Sequence, residues 1–355
     1  MSSNHHTSLF HLRYPIIQAP MAGASTPEMA AAVSNAGGLG SLAAAYSTPQ
    51  QIREMVARTR QLTDQPFNVN LFAIEFPPAP EDVSAALALV APFYQELGLG
   101  EPTRPFAGTT FTEQAEVLLE LEIPVFSFTF GVPSPAIMQA FKTKGTQIIG
   151  TATTVAEGMI LEKAGVDAIV AQGSEAGAHR GTFHHPFEQA MVSTMALVPQ
   201  LARSVSVPVI ASGGIMNGQG IRAALELGAS AVQLGTAFLV CPESSIPECY
   251  KQAVQNATDD STQITRAFSG RPARGIRNRF MLAGESQPEA VLAFPWQNNL
   301  TRPMRNAAAK ANNPEMLSLW AGQAASLARP MKAADLVKIL ASEAGFTAVE
   351  GGYAP

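Results

Sequence analysis

Short apolar runs alternate with helical patterns through the first 240 residues. Residues 15–19 (PIIQA), 39–42, 67–72 (FNVNLF), 125–130, 147–150, 168–172 (AIVAQ), 209–212 and 231–234 read as eight strands. Most are followed by apolar residues at helical spacing. Thr26 before Pro27 and Thr48 before Pro49 are start signals, each an N-cap followed by a residue already fixed at helical φ. Gly37 and Gly38 stop the first helix. Eight such β/α repeats predict an α/β fold, a closed (β/α)8 TIM barrel over residues 1–240. Residues 75–122 break the rhythm with a proline-rich stretch (EFPPAPED) and two helical segments, and read as a helical insertion after strand three. Residues 241–355, rich in alanine and arginine, read as a mainly helical C-terminal extension packed on the barrel.

Composition narrows the function classes. With 46% hydrophobic and 14% charged residues, the chain has enough apolar surface for a large core, which excludes global disorder. Its 23 basic and 28 acidic residues give a net charge of −5, so nucleic acid is not an expected partner. Cys241 and Cys249 are the only cysteines and form no C-x-x-C, which points to a reducing compartment. The first residues lack a charged segment followed by an apolar one, and no apolar run nears the roughly 20 residues that span a bilayer. A soluble, cytoplasmic protein without membrane partners is expected. Nothing in the pattern fixes its oligomeric state.

A barrel carries its chemistry at the carboxyl ends of its strands. The residues there are Pro20, Met21, Ala22 and Gly23 after strand one, Asn70 in strand three, and Gln172 to His179 after strand six. Gly213 and Gly214 follow strand seven, and Gly235 and Thr236 follow strand eight. A single glycine pair would only mark a tight turn. Glycines in both of these adjacent loops instead point to a phosphate approaching backbone N–H groups, on either a phosphorylated substrate or a cofactor. Gln18, Asn70, Gln172 and Gln233 lie on or at the ends of otherwise apolar strands. Neutral amides both donate and accept, which suits the imide edge of a flavin, although polar residues also fill barrel interiors.

Of the six histidines, His5, His6 and His11 fall at the start of the chain, and His179, His184 and His185 after strand six. Only His179 lies in a glycine-flanked segment at the strand mouth, where an imidazole could take a carbon-bound proton or hydrogen-bond an anionic oxygen. No H-E-x-x-H or cysteine–histidine spacing occurs, so no metal site is expected. There is no G-x-S-x-G, and the near match Gly38-Leu-Gly40-Ser-Leu-Ala43 follows a helix, so it fails as a dinucleotide fingerprint. Arg271, Arg274, Arg277 and Arg279 could attract an anionic substrate or tie the C-terminal segment to barrel carbonyls and carboxylates.

Taken in order, Gln18-Ala-Pro-Met-Ala-Gly23, Asn68-Val-Asn70-Leu-Phe72, Gln172-Gly-Ser-Glu-Ala-Gly-Ala-His179, Ser212-Gly-Gly-Ile215 and Gln233-Leu-Gly-Thr236 resemble the nitronate monooxygenases of class I. Phe268-Ser-Gly-Arg-Pro-Ala-Arg274 and Leu319-Trp-Ala-Gly-Gln323 extend the resemblance to nearly the whole chain. It implies an FMN-bound barrel that oxidises alkyl nitronates, propionate 3-nitronate foremost, with O2 to a carbonyl product plus nitrite or nitrate. Asn70 and Gln172 would then meet the isoalloxazine, Gly177 and Gly214 the ribityl phosphate region, and Gln233, Leu234, Gly235 and Thr236 the phosphate. Pro20, Met21, Ala22 and Gly213 complete the implied FMN contacts, and His179 would face the substrate as catalytic base or contact. Two positions depart from the family pattern. Ala24 and Ala178 stand where glycine is common, and Ala178 calls for a backbone angle that a side chain tolerates. Two alternatives stay open on this scaffold: an FMN enzyme reduced by NAD(P)H, of enoyl-ACP or quinone reductase type, and a barrel that binds a phosphorylated metabolite or flavin without redox turnover.

Overall fold

Eight parallel strands close into a (β/α)8 TIM barrel in this computed structural model, which describes Phe10, residues 12–106 and residues 108–346. His5, His6 and His11 lie outside the described residues. The barrel strands are β1 (Ile16–Gln18), β2 (Gly40–Ala43), β3 (Phe67–Phe72), β4 (Val125–Thr129), β5 (Gln147–Ala152) and β6 (Ala168–Gln172), then β8 (Val209–Ser212) and β9 (Ala231–Leu234). Between β6 and β8 lies the two-residue strand β7 (Ala178–His179), outside the barrel. The barrel order is β1-β9-β8-β6-β5-β4-β3-β2. The ring closes where Gln18 N–H donates to the Leu39 carbonyl and Leu39 N–H to that of Ile16, both at 2.9 Å. Register then sets Gln172, Ser212 and Gln233 side by side at the carboxyl ends.

The interior is apolar at one end and polar at the other. Phe10 and Leu12 pack with Ile17, Leu39, Val125, Ile149, Val170 and Ile210 in one buried cluster. In β2, β3 and β4 the polar positions bond to one another: the Asn68 amide donates to Ser41 Oγ and Ser127 Oγ, and the Asn70 amide to Ser127 Oγ. Outside the ring, helices start where the caps predict. Thr26 accepts from Met29 N–H, and Thr48 and Gln51 form a reciprocal capping box.

The insertion's two helices go to different places. Phe111–Glu120 contributes Val117 and Leu118 to the main barrel cluster. Ser84–Glu96 instead packs Val90 and Tyr94 against Phe268, Leu300 and Met304 of the C-terminal segment, where Tyr94 Oη donates to the Leu300 carbonyl at 2.7 Å.

That segment is less uniformly helical than its sequence suggests. β10 (Thr262–Thr265) and β11 (Ala273–Ile276) form an antiparallel hairpin, and β11 pairs with β7, so a three-stranded sheet joins the loop after β6 to the end of the chain. The strands read TQIT and ARGI and lack the apolar alternation that marks a half-buried strand. Beyond them, helix Trp296–Lys310 crosses the barrel mouth region, and helix Ala333–Glu343 places Leu336, Val337 and Leu340 in the main barrel cluster. Among the described residues no helix is long and apolar enough to cross a membrane.

Candidate active site

A cavity of about 450 Å³ opens at the carboxyl ends of the strands. Pro20, Met21 and Ala22 line it from β1, Asn70 from β3, and Gln172, Gly177 and His179 from β6 and its loop. Gly213 and Gly214 line it after β8, and Gln233, Leu234, Gly235 and Thr236 from β9 onward. The barrel thus brings together residues separated by more than two hundred positions. Gln18 is placed elsewhere, contrary to the expectation that groups it with the cavity amides. Its side chain is fully buried at the β1–β2 seam, accepting from Ser41 N–H at 2.8 Å and donating to Ser25 Oγ.

The loop carrying His179 is stitched down from several sides. The Gln172 amide donates to the His179 carbonyl at 3.0 Å and accepts from Gly181 N–H at 2.8 Å, so its first task is to clamp this loop. Arg180 is buried, and its guanidinium donates to the carbonyls of Gly173, Gln172 and Ala190. Glu175 accepts from Thr194 N–H and Oγ1–H, at the start of helix Thr194–Ser204. Arg274 donates twice to the Ser174 carbonyl. Glu157, fully buried, accepts from Thr153 N–H and hydroxyl and from the N–H groups of Phe183 and His184. Ala178 adopts φ +62°, inside the left-handed region, so the loop keeps the path a glycine would take. This overturns the expectation of an ordinary angle there; pairing of Ala178 with Arg274 across β7 and β11 holds it.

Glycines in the cavity wall have different physical reasons. A Cβ on Gly177 would come within 2.6 Å of Ala321 C and Gly322 N, so contact with the C-terminal segment demands glycine there. A Cβ on Gly235 would meet nothing nearer than Ala19 Cβ at 3.5 Å, so packing does not demand it. The space that side chain would occupy opens on the cavity beside Thr236. A backbone cradle of this kind, with the amides of Asn70, Gln172 and Gln233 on the same wall, fits a planar ring with donor and acceptor edges and an anionic tail.

His179 sits inside an aromatic box. Its ring centroid lies 5.6 Å from Trp320, 5.7 Å from Phe130, 6.1 Å from Phe72 and 6.3 Å from Phe294. Ser269 Oγ is 2.8 Å from His179 Nε2 and fixes the ring's plane. Burial, with Arg271 and Arg305 adding to it, pushes the imidazole down to about 3, so it is neutral at physiological pH.

Three arginines surround this box, and the sequence reading singled out only one of them. Arg271 stacks 4.0 Å above the Phe130 ring and donates to the Thr182 carbonyl. Arg302 lies 5.3 Å over the Tyr46 ring, and Arg305 donates to Thr301 and Asn298. Among the described residues none of the three has a carboxylate within salt-bridge distance. Tyr46 Oη is buried without a hydrogen-bond partner, and burial raises it to about 12 against the pull of Arg305, Arg302 and Arg271. Tyr46 follows β2, where a strand-end reading would have found it. Arg302 and Arg305 had a weaker signal, two arginines three apart on one helix face with no acidic residue one turn away. Elsewhere in the cluster singled out from the sequence, Arg274 donates to the Ser174 carbonyl, and Arg279 pairs at the surface with Glu96 of the insertion helix Ser84–Glu96. Among the described residues no three His, Cys, Asp or Glu gather as a metal site.

Comparison with known proteins agrees with this architecture over nearly the full length. A family model described as nitronate monooxygenase matches residues 3–343. A Staphylococcus aureus (strain Newman) protein named "Probable nitronate monooxygenase" is 43% identical over 334 residues, covering 92% of this chain and 93% of its own. The solved nitroalkane oxidase from Streptomyces ansochromogenes superposes with a TM-score of 0.89 at 41% identity, covering 95% of this chain and 98% of that one. FabK from Thermotoga maritima superposes with a TM-score of 0.76 at 29% identity, covering 97% of each chain.

Proposed function

The chain belongs to the nitronate monooxygenase family and is an oxidoreductase, and from that premise we propose that it oxidises propionate 3-nitronate with O2 on bound FMN, giving a carbonyl product and nitrite or nitrate. A flavin is implied by the family. FMN in particular is our reading of the cavity: one backbone cradle at Gly235 and Thr236 for a single phosphate, and amides of Asn70, Gln172 and Gln233 for the ring edge. The bound flavin supplies electron transfer between nitronate and oxygen; the residues of the chain bind, orient and exclude water.

The observation that carries this reading is the charge around His179. Arg302 and Arg305 line a cavity with aromatic walls, Arg271 stacks on Phe130 at its edge, and among the described residues none of the three has a carboxylate partner, while the imidazole among them is neutral. Such a cavity favours an anion, because buried cations without counter-charge are costly until one arrives. We assign the Ser269 proton to His179 Nε2 at 2.8 Å rather than to the Arg271 carbonyl at 3.2 Å; in that tautomer the imidazole N–H falls on Nδ1, where it can donate to an anionic nitro oxygen. Arg302 and the unpartnered Tyr46 hydroxyl suit a second anionic group, the carboxylate of propionate 3-nitronate. Arg302→Gln should therefore raise KM for propionate 3-nitronate by about tenfold or more, the scale of one charge-assisted hydrogen bond. An alkyl nitronate without a carboxylate should be nearly unaffected. Equal losses on both substrates would remove the carboxylate from Arg302.

The decisive experiment is an absorbance spectrum of the purified protein followed by oxygen uptake. We expect an FMN spectrum and oxygen consumption with propionate 3-nitronate; a colourless protein that takes up no FMN refutes the reading. The likeness to FabK gives the NAD(P)H-dependent alternative its footing. NADH added without oxygen should leave the flavin absorbance unchanged, and rapid bleaching would transfer the assignment to a reductase.

A further inference from the structure

A second cavity, of about 370 Å³, lies one side chain away from the first. Phe130 and His179 line the first cavity; Phe294 and Arg271 line the second. Arg271 stacks on Phe130, and the Phe294 ring lies 6.0 Å from Phe130 and 6.3 Å from His179. The remaining wall of the second cavity is cationic and apolar. Arg180, Arg266 and His185 share it with Ile74, Pro77 and Phe187.

Among the described residues, two guanidinium N–H groups in this wall lack acceptors. Arg180 is 1% exposed, and its Nη atoms are spent on backbone carbonyls, yet its Nε is buried without a partner. Arg271 Nε is in the same condition, while its Nη2 donates to the Thr182 carbonyl. The nearby carboxylates do not answer them. Glu157 is saturated by four donors, and Glu188 sits 3.6 Å from Arg266, where both side chains are mostly exposed. Buried donors of this kind normally have an acceptor, and a charged one demands it more.

We propose that the second cavity binds a small singly charged oxyanion, nitrite or a carboxylate, between Arg266, Arg271 and Arg180. The apolar part of its wall disfavours a strongly hydrated dianion such as sulfate or phosphate. Nitrite is named because it is the anion the proposed reaction would release; the site itself does not depend on that reading. Since Arg271 stands between the two cavities, an anion held here would be felt in the reaction chamber.

Calorimetric titration of the purified flavin-loaded protein with sodium nitrite at fixed ionic strength tests this, with sodium acetate in a parallel series. Saturable binding is expected, with a component weakened about fivefold by Arg266→Gln, the size of one partly screened charge contact, and separate from any anion taken up in the first cavity, which is the part weakened by Arg302→Gln. Tighter binding of nitrite than acetate identifies the released product as occupant, and the reverse identifies a carboxylate; either supports the site if Arg266 governs it. Absence of saturable binding, or binding weakened by Arg302→Gln and not by Arg266→Gln, overturns it. The titration needs no turnover, so an enzyme inactive on nitronates and a protein that binds no oxyanion are separate results.

Discussion

His179→Ala is expected to lower kcat/KM on preformed propionate 3-nitronate by about 10²-fold, the usual cost of losing one preorganised donor to a developing charge. The wild-type enzyme should also use that nitronate far better than its parent nitroalkane. A general base works best with a pKa near the operating pH, and this imidazole is held near 3 by burial, Arg271 and Arg305. It is a feeble acceptor for a carbon-bound proton and a serviceable neutral donor to an anion already formed. The sign of the pH effect follows. His179 is uncharged at every pH well above 3, so its contribution does not titrate between pH 5 and 8. The ratio of wild-type to His179→Ala kcat/KM should therefore stay constant across that range. A ratio that changes with a midpoint near 6.5 would show that the imidazole ionises normally, and the donor role would fall with it.

Glu157→Ala should cost about 3 kcal/mol of unfolding free energy in urea, because four buried donors lose their acceptor at once. Glu157 is on the first turn of helix Val155–Ala164, so the carboxylate also faces the positive end of the helix dipole. Its second oxygen holds Phe183 and His184, a few residues beyond His179. Loss of activity should accompany the loss of stability. Glu157→Gln should recover only part of it, since its amide NH2 would face donors. A cost under about 1 kcal/mol for Glu157→Ala would mean that water or a neighbouring group replaces the carboxylate.

Much of the barrel was legible because burial on both faces writes each parallel strand as a short apolar run, as in AIVAQ of β6. Caps at Thr26 and Thr48 marked helix starts for the same local reason. The hairpin of β10 and β11 was not legible, since a four-residue strand containing Arg274 and Gly275 takes its reason from β7, nearly one hundred positions earlier. Strand ends also led to one wall of the cavity, but not to the residues of the C-terminal segment that complete it nor to how each side chain is used. Gln18 and Gln172 sit at comparable strand ends, and one turns into a seam while the other clamps a loop. Arg302 and Arg305 were only faintly marked, as two arginines without an acidic partner on one helix face, because their helix reaches the barrel mouth only in three dimensions.

The pairing of β7 with β11 carries a consequence for synthesis. The imidazole's strand finds its mate in Ala273 and Arg274, and Gly177 is pressed by Ala321, residues that leave the ribosome long after the barrel strands. A nascent chain halted after β9 would own the cradle and lack the far wall of the chamber. The chamber around His179 is thereby completed only once the C-terminal segment has been made.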